Sequence, residues 1–382
     1  MITQIELSHE VVMTNRKSNE KLHIFSSGNF TQGFFDFLRR HQFDLDEHVL
    51  FQYRRRKPFE GLAHLDAIYC HSFFSPLANL KLLLRMFRAK NIIIHCLSSP
   101  VLLLYLLAFP SLRAKSYWAI WGKDLYFYQV LDKPGIHHRA YEFLRRRVIK
   151  RLPHIITFNG GDYRLAQTLY GAKGTRHSCF LYPSNVFKEV AKAPPEPDLT
   201  VILLGNSADP SNNHLDLMQM LEPYRHLNLE IITPLAYGDS NHAEKVIEEG
   251  KRLFGSRFKP LTNLLPSSQY NQLLARVDIG VFGHKRQQAM GNIVSLLGMG
   301  KKVYIRTDIT SHRLLQDNGI KTFDLNEFEP SPIDDDIAEH NVLAIKTTFS
   351  EENLRTQWQE LFAKMSNQRK SMNQSTSSES LT

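Results

Sequence analysis

The stretch ILLGNSADPSNNH at 202–214 runs an apolar strand into Gly205 and then into Asn206, Ser207, Asp209, Ser211, Asn212 and Asn213. A glycine at such a strand end permits a tight turn and lets backbone N–H groups approach a ligand. A helix starting near Asn213 adds its partial positive end. A diphosphate suits that arrangement, and a capped loop with no ligand is the alternative. The pattern is neither G-x-G-x-x-G nor a P-loop. A second stretch, VFGHKRQQAMGNIVSLLGMGKKVYI at 281–305, repeats the strand, loop, helix, strand order. Its loop carries His284, Lys285, Arg286 and Gln288, and Gly291 opens the helix. Cations beside a helix start can stabilise the charge that develops on a departing diphosphate. Plain surface charge is the alternative for Lys285 and Arg286. Tyr237, in ITPLAYGD at 232–239, is placed to stack on a base or a sugar, or to serve as a partly buried structural tyrosine.

Two other residues are candidates for acid–base work. Asp124 follows the aromatic strand in YWAIWGKDLY at 117–126, and His95 ends the apolar run before it. An acid or imidazole at a strand end can deprotonate a hydroxyl. The alternatives are a helix N-cap for Asp124 and a hydrogen-bonded core histidine for His95. Asp162, in FNGGD, marks a third strand-end turn. The acidic clusters Asp44-Leu45-Asp46 and Asp334-Asp335-Asp336 could be mistaken for D-x-D metal sites but read as solvated loops.

Elements must hold these residues in place. Apolar runs predict strands at Lys21–Phe25, His48–Tyr53, Asp66–Cys70, Asn91–Leu97, Ser116–Trp121 and His154–Phe158, with helices at 31–41, 76–89 and 136–151. The same alternation resumes at Thr200–Leu204, Leu229–Thr233, Val277–Phe282 and Lys302–Ile305, with helices near 213–221, 241–254, 267–276, 291–299 and 311–317. This is the pattern of parallel sheets covered by helices on both faces. KAPPEPDLT, with three prolines in six positions, reads as a linker. The expected organisation is an extension at 1–20, an α/β domain at 21–191, a linker at 192–199 and a second α/β domain at 200–349. A helix at 350–366 carries Leu354, Trp358, Leu361, Phe362 and Met365 on one face, and a disordered tail at 367–382 follows it. Two doubly wound domains joined this way are expected to face each other across a cleft at the carboxyl ends of their sheets, where ligands bind.

Composition narrows the class. Three cysteines with no C-x-x-C pair suggest neither a disulfide framework nor a thiolate metal site, and a reducing compartment fits best. Residues 92–109 carry no charge, but SSP interrupts them, so a strand followed by a helix starting at Pro100, capped by Ser98 or Ser99, is expected instead of a membrane span. Residues 1–190 hold 27 Lys+Arg against 14 Asp+Glu, a net +13, and the remainder holds 20 against 24, a net −4. The basic half is expected to meet an anionic surface, and no nucleic-acid motif accompanies it.

The stretches IWGKDLY, LLGNSADPSNNH, ITPLAYGD, EKVIEEGKRLF and RVDIGVFGHKRQQAMGN span most of residues 115–310. In them the chain resembles the TDP-N-acetylfucosamine:lipid II N-acetylfucosaminyltransferases of enterobacterial common antigen synthesis, the 4-alpha-L-fucosyltransferases, which are GT-B glycosyltransferases. The resemblance implies a peripheral enzyme on the cytoplasmic face of the inner membrane. It would move 4-acetamido-4,6-dideoxygalactose from a TDP carrier to an undecaprenyl-diphosphate-linked disaccharide. Gly205, Asn206, Ser207, Tyr237, Arg286, Gln288 and Gly291 would hold the donor, Asp124 or His95 would act as base, and no metal cofactor would be needed. The lipid diphosphate would account for the basic first half, and the apolar face at 101–109 would sit near lipid. Two departures stand out. The first twenty residues have no obvious counterpart. Where retaining GT-B enzymes often carry two glutamates, this chain has Gln288 near the first position and leucines near the second. A related transferase of O-antigen or capsule synthesis, or a non-catalytic two-domain nucleotide binder, are the competing expectations.

Overall fold

The computed structural model describes residues 20–379 apart from 27, 29, 56, 130–133 and 192–197, with side chains to residue 367. The expected extension at 1–20 and linker at 192–199 fall almost entirely outside the described residues, as do 380–382. The chain divides into two compact units. One takes the described residues through Phe158, Tyr163–Pro183 and those from Arg355 onward, and the other takes Asn159–Asp162 and Ser184–Leu354.

The first unit runs β1 (Lys21–Phe25), α1 (Thr31–Arg40), β2 (His48–Tyr53), β3 (Asp66–Cys70), α2 (Pro76–Arg88), β4 (Asn91–His95), α3 (Pro100–Ala108), α4 (Pro110–Ala114), β5 (Ser116–Ala119), α5 (Ile136–Ile149), β6 (His154–Ile156), α6 (Gly160–Tyr170) and β7 (Thr175–His177). Its seven strands are parallel, in the order β3-β2-β1-β4-β5-β6-β7. Prolines open α2, α3 and α4, where a missing N–H costs nothing. The Ser99 hydroxyl caps α3 by accepting from the Leu102 N–H at 3.3 Å. That helix buries Leu102, Leu103 and Leu106 and leaves Leu104 as its one large apolar side chain well exposed, so the 101–109 face expected near lipid is mostly core.

The second unit runs β8 (Thr200–Leu204), α7 (His214–Leu221), β9 (Leu229–Pro234), α8 (Ser240–Phe254), β10 (Phe258–Leu261), α9 (Ser267–Arg276), β11 (Ile279–Phe282), α10 (Met290–Gly298), β12 (Lys302–Ile305), α11 (Thr310–Asp317), β13 (Phe323–Asp324) and α12 (Asp335–Thr348). The strand order is β10-β9-β8-β11-β12-β13, again all parallel. The order in which the strands are laid down reverses between β8 and β11, and such switch points are where open α/β sheets bind ligands. The division falls at Pro183 and Ser184, ahead of the prolines. Residues 184–187 already pack on the second unit: the Phe187 N–H donates to the Phe349 carbonyl at 2.9 Å.

The last helix, α13 (Glu351–Glu379), starts at a Ser350 hydroxyl that accepts from the Asn353 N–H at 3.1 Å. Its backbone stays helical past residue 366 as far as Glu379, over the described part of the segment expected to be a disordered tail. That segment is polar but holds no proline or glycine before Glu379. The helix completes the first unit. Trp358 is fully buried, lies 5.0 Å from Phe34 and donates its indole N–H to the Leu181 carbonyl at 3.0 Å.

Candidate functional site

Because Ile279 pairs with Ile202 and Val281 with Leu204, the loops after β8 and β11 leave the sheet side by side. Gly205 sits at φ 70°, and a Cβ there would lie 2.7 Å from His214 Nε2 and 2.8 Å from Asn212 Oδ1. Asn212, which is buried, organises the loop. Its side-chain oxygen accepts from the Asn206 N–H at 2.9 Å and lies 2.8 Å from His284 Nε2, and its amide donates to the Asp209 carbonyl at 2.9 Å and to the Ser207 hydroxyl at 3.3 Å. Asn213 donates to the Gly283 carbonyl at 2.6 Å and so ties the two loops together.

A polar mesh spreads from this centre. The Gln288 amide donates to Asn206 Oδ1 at 3.0 Å, and the Asn206 amide donates to the Tyr237 hydroxyl at 3.2 Å. The Ser211 hydroxyl lies 2.7 Å from Asp209 Oδ1 and 2.9 Å from Gln288 Oε1. Arg286, largely buried, pairs with Asp209 at 3.4 Å, while Lys285 is exposed. His284 is held at about 3, first by burial and then by the Arg286 charge. His214 is likewise pushed down to about 3 by burial and then by His242. Both imidazoles are therefore neutral at pH 7, and Arg286 is the buried cation of the mesh.

The structure thus brings Asn206, Ser207, Tyr237, Arg286 and Gln288 together. It changes what the loop offers a ligand. The N–H groups expected to cradle a diphosphate are largely spent inside the loop: Gly205 donates to Val281, Ala208 to Tyr237, Ser211 to Asp209 and Asn212 to Asp209. The amides that an α-helix leaves without intrahelical partners are those of the first turns of α7 and α10. Gly291 stands apart from the mesh. A Cβ there would come within 2.8 Å of the Ser184 carbonyl, so its smallness serves chain packing. Asn212, His214 and the centring role of His284 were not legible in advance. Their signal, several amide side chains at one strand end, had no single geometry.

In the first unit, the carboxylate of Asp124 is buried and already engaged. Oδ2 accepts from the Leu97 N–H at 2.9 Å and the Trp118 indole at 2.6 Å, and Oδ1 accepts from the Trp121 N–H at 2.9 Å. The fully buried Arg145 guanidinium donates to the Asp124 carbonyl. Three donors on two oxygens leave little room for a substrate proton. Asp124 thus anchors the turn after β5, and no helix starts there for it to cap.

His95 is also enclosed. Phe25 pairs with His95 across β1 and β4, and their rings stack at 3.8 Å. Its nitrogens lie 3.0 Å from His23 Nδ1 and 2.5 Å from the Tyr182 hydroxyl. His23 Nε2 in turn lies 2.8 Å from His48 Nδ1. Trp121 fixes the direction of this chain. An indole only donates, and it does so to the Tyr182 oxygen at 2.5 Å. The Tyr182 proton must then go to His95 Nδ1, its one other partner among the described residues. His95 therefore donates from Nε2 to His23, and His23 from Nε2 to His48. Burial pushes both His95 and His23 well below the ordinary histidine value, so the chain is uncharged. His95 is a core histidine that orders its neighbours, and both of its ring nitrogens are occupied.

Neither unit, among the described residues, groups three His, Cys, Asp or Glu side chains able to hold a metal ion. Asp44 and Asp334 cap turns by accepting from the Asp46 and Asp336 N–H groups at 3.2 and 3.0 Å. Cys70, Cys96 and Cys179 are buried free thiols. No helix among the described residues is long and apolar enough to cross a membrane.

Two parallel α/β units of this order are the GT-B fold of glycosyltransferases. Solved structures share it. Anabaena HepE, in complex with UDP and glucose, superposes with a TM-score of 0.67 at 13% identity over 91% of this chain and 100% of its own. A glycosyltransferase from Rickettsia africae gives 0.63 at 13% identity over 92% and 100%. The sucrose-phosphate synthase of Thermosynechococcus elongatus gives 0.65 at 10% identity over 91% and 99%. Residues 77–367 match the 4-alpha-L-fucosyltransferase family, glycosyl transferase group 56, and the chain belongs to that family.

Proposed function

We propose that the enzyme transfers 4-acetamido-4,6-dideoxygalactose from its TDP carrier to a disaccharide on undecaprenyl diphosphate, at the cytoplasmic face of the inner membrane and without a metal. Family membership supports the glycosyl transfer. The observation that carries the donor site is the mesh at the β8/β11 switch point, where Asn206, Tyr237, Gln288 and the Arg286–Asp209 pair meet. An arriving diphosphate would draw Arg286 from Asp209 into a charge-assisted pair, giving the leaving group the positive charge that a metal supplies elsewhere. Ser207 and the first turn of α10 add donors, Gly205 keeps the loop low, and Tyr237, the exposed ring of the mesh, suits the base. We assign Asp124 and His95 to positioning, since each is fully hydrogen-bonded where it stands.

Calorimetry with TDP, UDP and GDP in metal-free buffer, on the wild type and on Arg286→Ala, tests this. The expected result is a preference for TDP and a loss of roughly tenfold or more in the variant, the cost of one charge-assisted contact. A preference for UDP, the nucleotide bound by Anabaena HepE, would instead make this a transferase of another nucleotide sugar. No binding to any of the three would remove the donor-site assignment.

A further inference from the structure

Helix α2 is apolar on two opposite sides. Its inner face buries Leu82 and Met86 with Asn79. The other side carries Leu77, Leu80, Leu84 and Phe87, which at helical spacing fall within about 80° of arc. A helix with apolar residues on two opposite sides normally packs both of them. Here the outer stripe lies open, with exposures of 65, 52, 51 and 46%, and Phe74 just ahead of the helix is 70% exposed. The neighbouring α3, joined through the Tyr105 hydroxyl on the Asn79 carbonyl at 3.3 Å and through Phe109 against Phe87 at 5.2 Å, adds the exposed Leu104.

The charges on α2 indicate what covers this stripe. The helix contains no Asp or Glu. Arg85 is used inward, 3.0 Å from Asp66. Lys81 and Arg88 are exposed, border the apolar stripe, and make no ion pair among the described residues. A second copy of the chain would bring the same two cations against themselves. An anionic lipid surface would neutralise them while the leucines and phenylalanines entered the acyl boundary, with the cation stems reaching back to the head groups.

We propose that α2, with Phe74, is the element by which the enzyme inserts shallowly into an anionic membrane. The proposal rests on the membrane-surface reading above and assigns it to a face other than the 101–109 helix. Sedimentation of the full chain with vesicles tests it, using phosphatidylglycerol/phosphatidylethanolamine against pure phosphatidylcholine. The variants are Leu80→Glu/Leu84→Glu, Lys81→Ser/Arg88→Ser, and Phe143→Glu on the basic helix α5. TDP calorimetry on each variant reports an intact second unit, and circular dichroism reports a folded first unit.

The wild type is expected to bind the anionic vesicles and to lose binding as salt rises. The Leu variant should lose binding by about tenfold or more, the cation variant should lose its preference for anionic lipid, and Phe143→Glu should bind like wild type. A Leu84→Trp variant should shift its emission to the blue on anionic vesicles and not on phosphatidylcholine. Retention of binding by the Leu variant, or its loss in Phe143→Glu alone, overturns the assignment to α2 and leaves the membrane reading standing. No vesicle binding by the wild type removes both. Self-association of the wild type that the Leu variant abolishes would make the stripe an interface between copies, and would overturn the proposal.

Discussion

Asp124 has the sequence setting of a chemical residue and the surroundings of a structural one. A carboxylate at the end of an aromatic strand is what a general base would look like in sequence. What the sequence did not display is the donors: Leu97 comes from the loop after β4, Trp118 from within β5, and Trp121 from the turn itself. The two roles predict different behaviour of Asp124→Asn, which keeps the shape but cannot accept all three bonds. An anchor fails through stability, with an expected loss of about 1–3 kcal/mol for each buried donor left unpaired. Thermal melts should fall by several degrees, while kcat per folded molecule stays within about tenfold of wild type. A base fails through kcat, by a factor of about 10²–10⁴ at an unchanged melting temperature. Measuring melting temperature and kcat on the same preparation separates them, and a large kcat loss in a fully stable variant would restore Asp124 as the base.

The strands and helices of this chain are largely legible because each carries its own periodicity and punctuation. β1, β2, β3, β8 and β12 fall where alternation and bounding polar residues place them, and the face of α13 reads directly from Leu354, Trp358, Leu361, Phe362 and Met365, all buried. The short strands β7, β10 and β13 escaped because two to four residues carry too little pattern, and β10 contains Pro260. Contacts that depend on which strands are neighbours were not legible either. His48, His23 and His95 lie 25 and 72 residues apart in sequence, yet they line up diagonally on one face once β2, β1 and β4 are adjacent and in register. The return of α13 to the first unit is of the same kind. Trp358→Ala should cost about 3–5 kcal/mol, because it empties a large buried site and orphans the Leu181 carbonyl. The loss should appear in the first unit, with TDP binding by the second unit preserved below the transition. A melt unchanged by the substitution would mean that the helix does not complete that unit. Gly250 in EKVIEEGKRLF has a comparable reason. Its missing Cβ leaves room for the Phe258 ring, which a methyl would meet at 2.5 Å, so Gly250→Ala should destabilise the second unit despite alanine's better helix propensity.

Across the whole molecule, buried neutral histidines dominate the response to acid. His48 in the first unit and His214 and His284 in the second are each held at about 3, and His23 and His95 lie well below their ordinary value, in every case chiefly through burial. In the unfolded chain these groups take up protons near pH 6.5. The folded state therefore binds fewer protons than the unfolded one between about pH 6.5 and 3, and stability rises with pH across that window. It is fully present above pH 6.5 and is lost as pH falls towards 3. A single histidine displaced this far loses about 2 kcal/mol between pH 7 and pH 5. Glu142 opposes the trend, since burial raises its carboxyl, but it is one group against five. With such histidines in both units, the melting temperature should drop by on the order of 10 °C between pH 7.5 and pH 5.0, for both transitions if the units melt separately. His284→Gln keeps a donor towards Asn212 without a titrating ring, so it should flatten the pH dependence of the second unit while leaving that of the first unchanged. A melting temperature constant from pH 7.5 to 5.0 would mean that these histidines take up protons in the folded protein as readily as in the unfolded chain. In that case the hydrogen-bond direction set by Trp121 could not hold at pH 5.0, because a protonated His95 donates from both nitrogens and would reverse the bond to Tyr182.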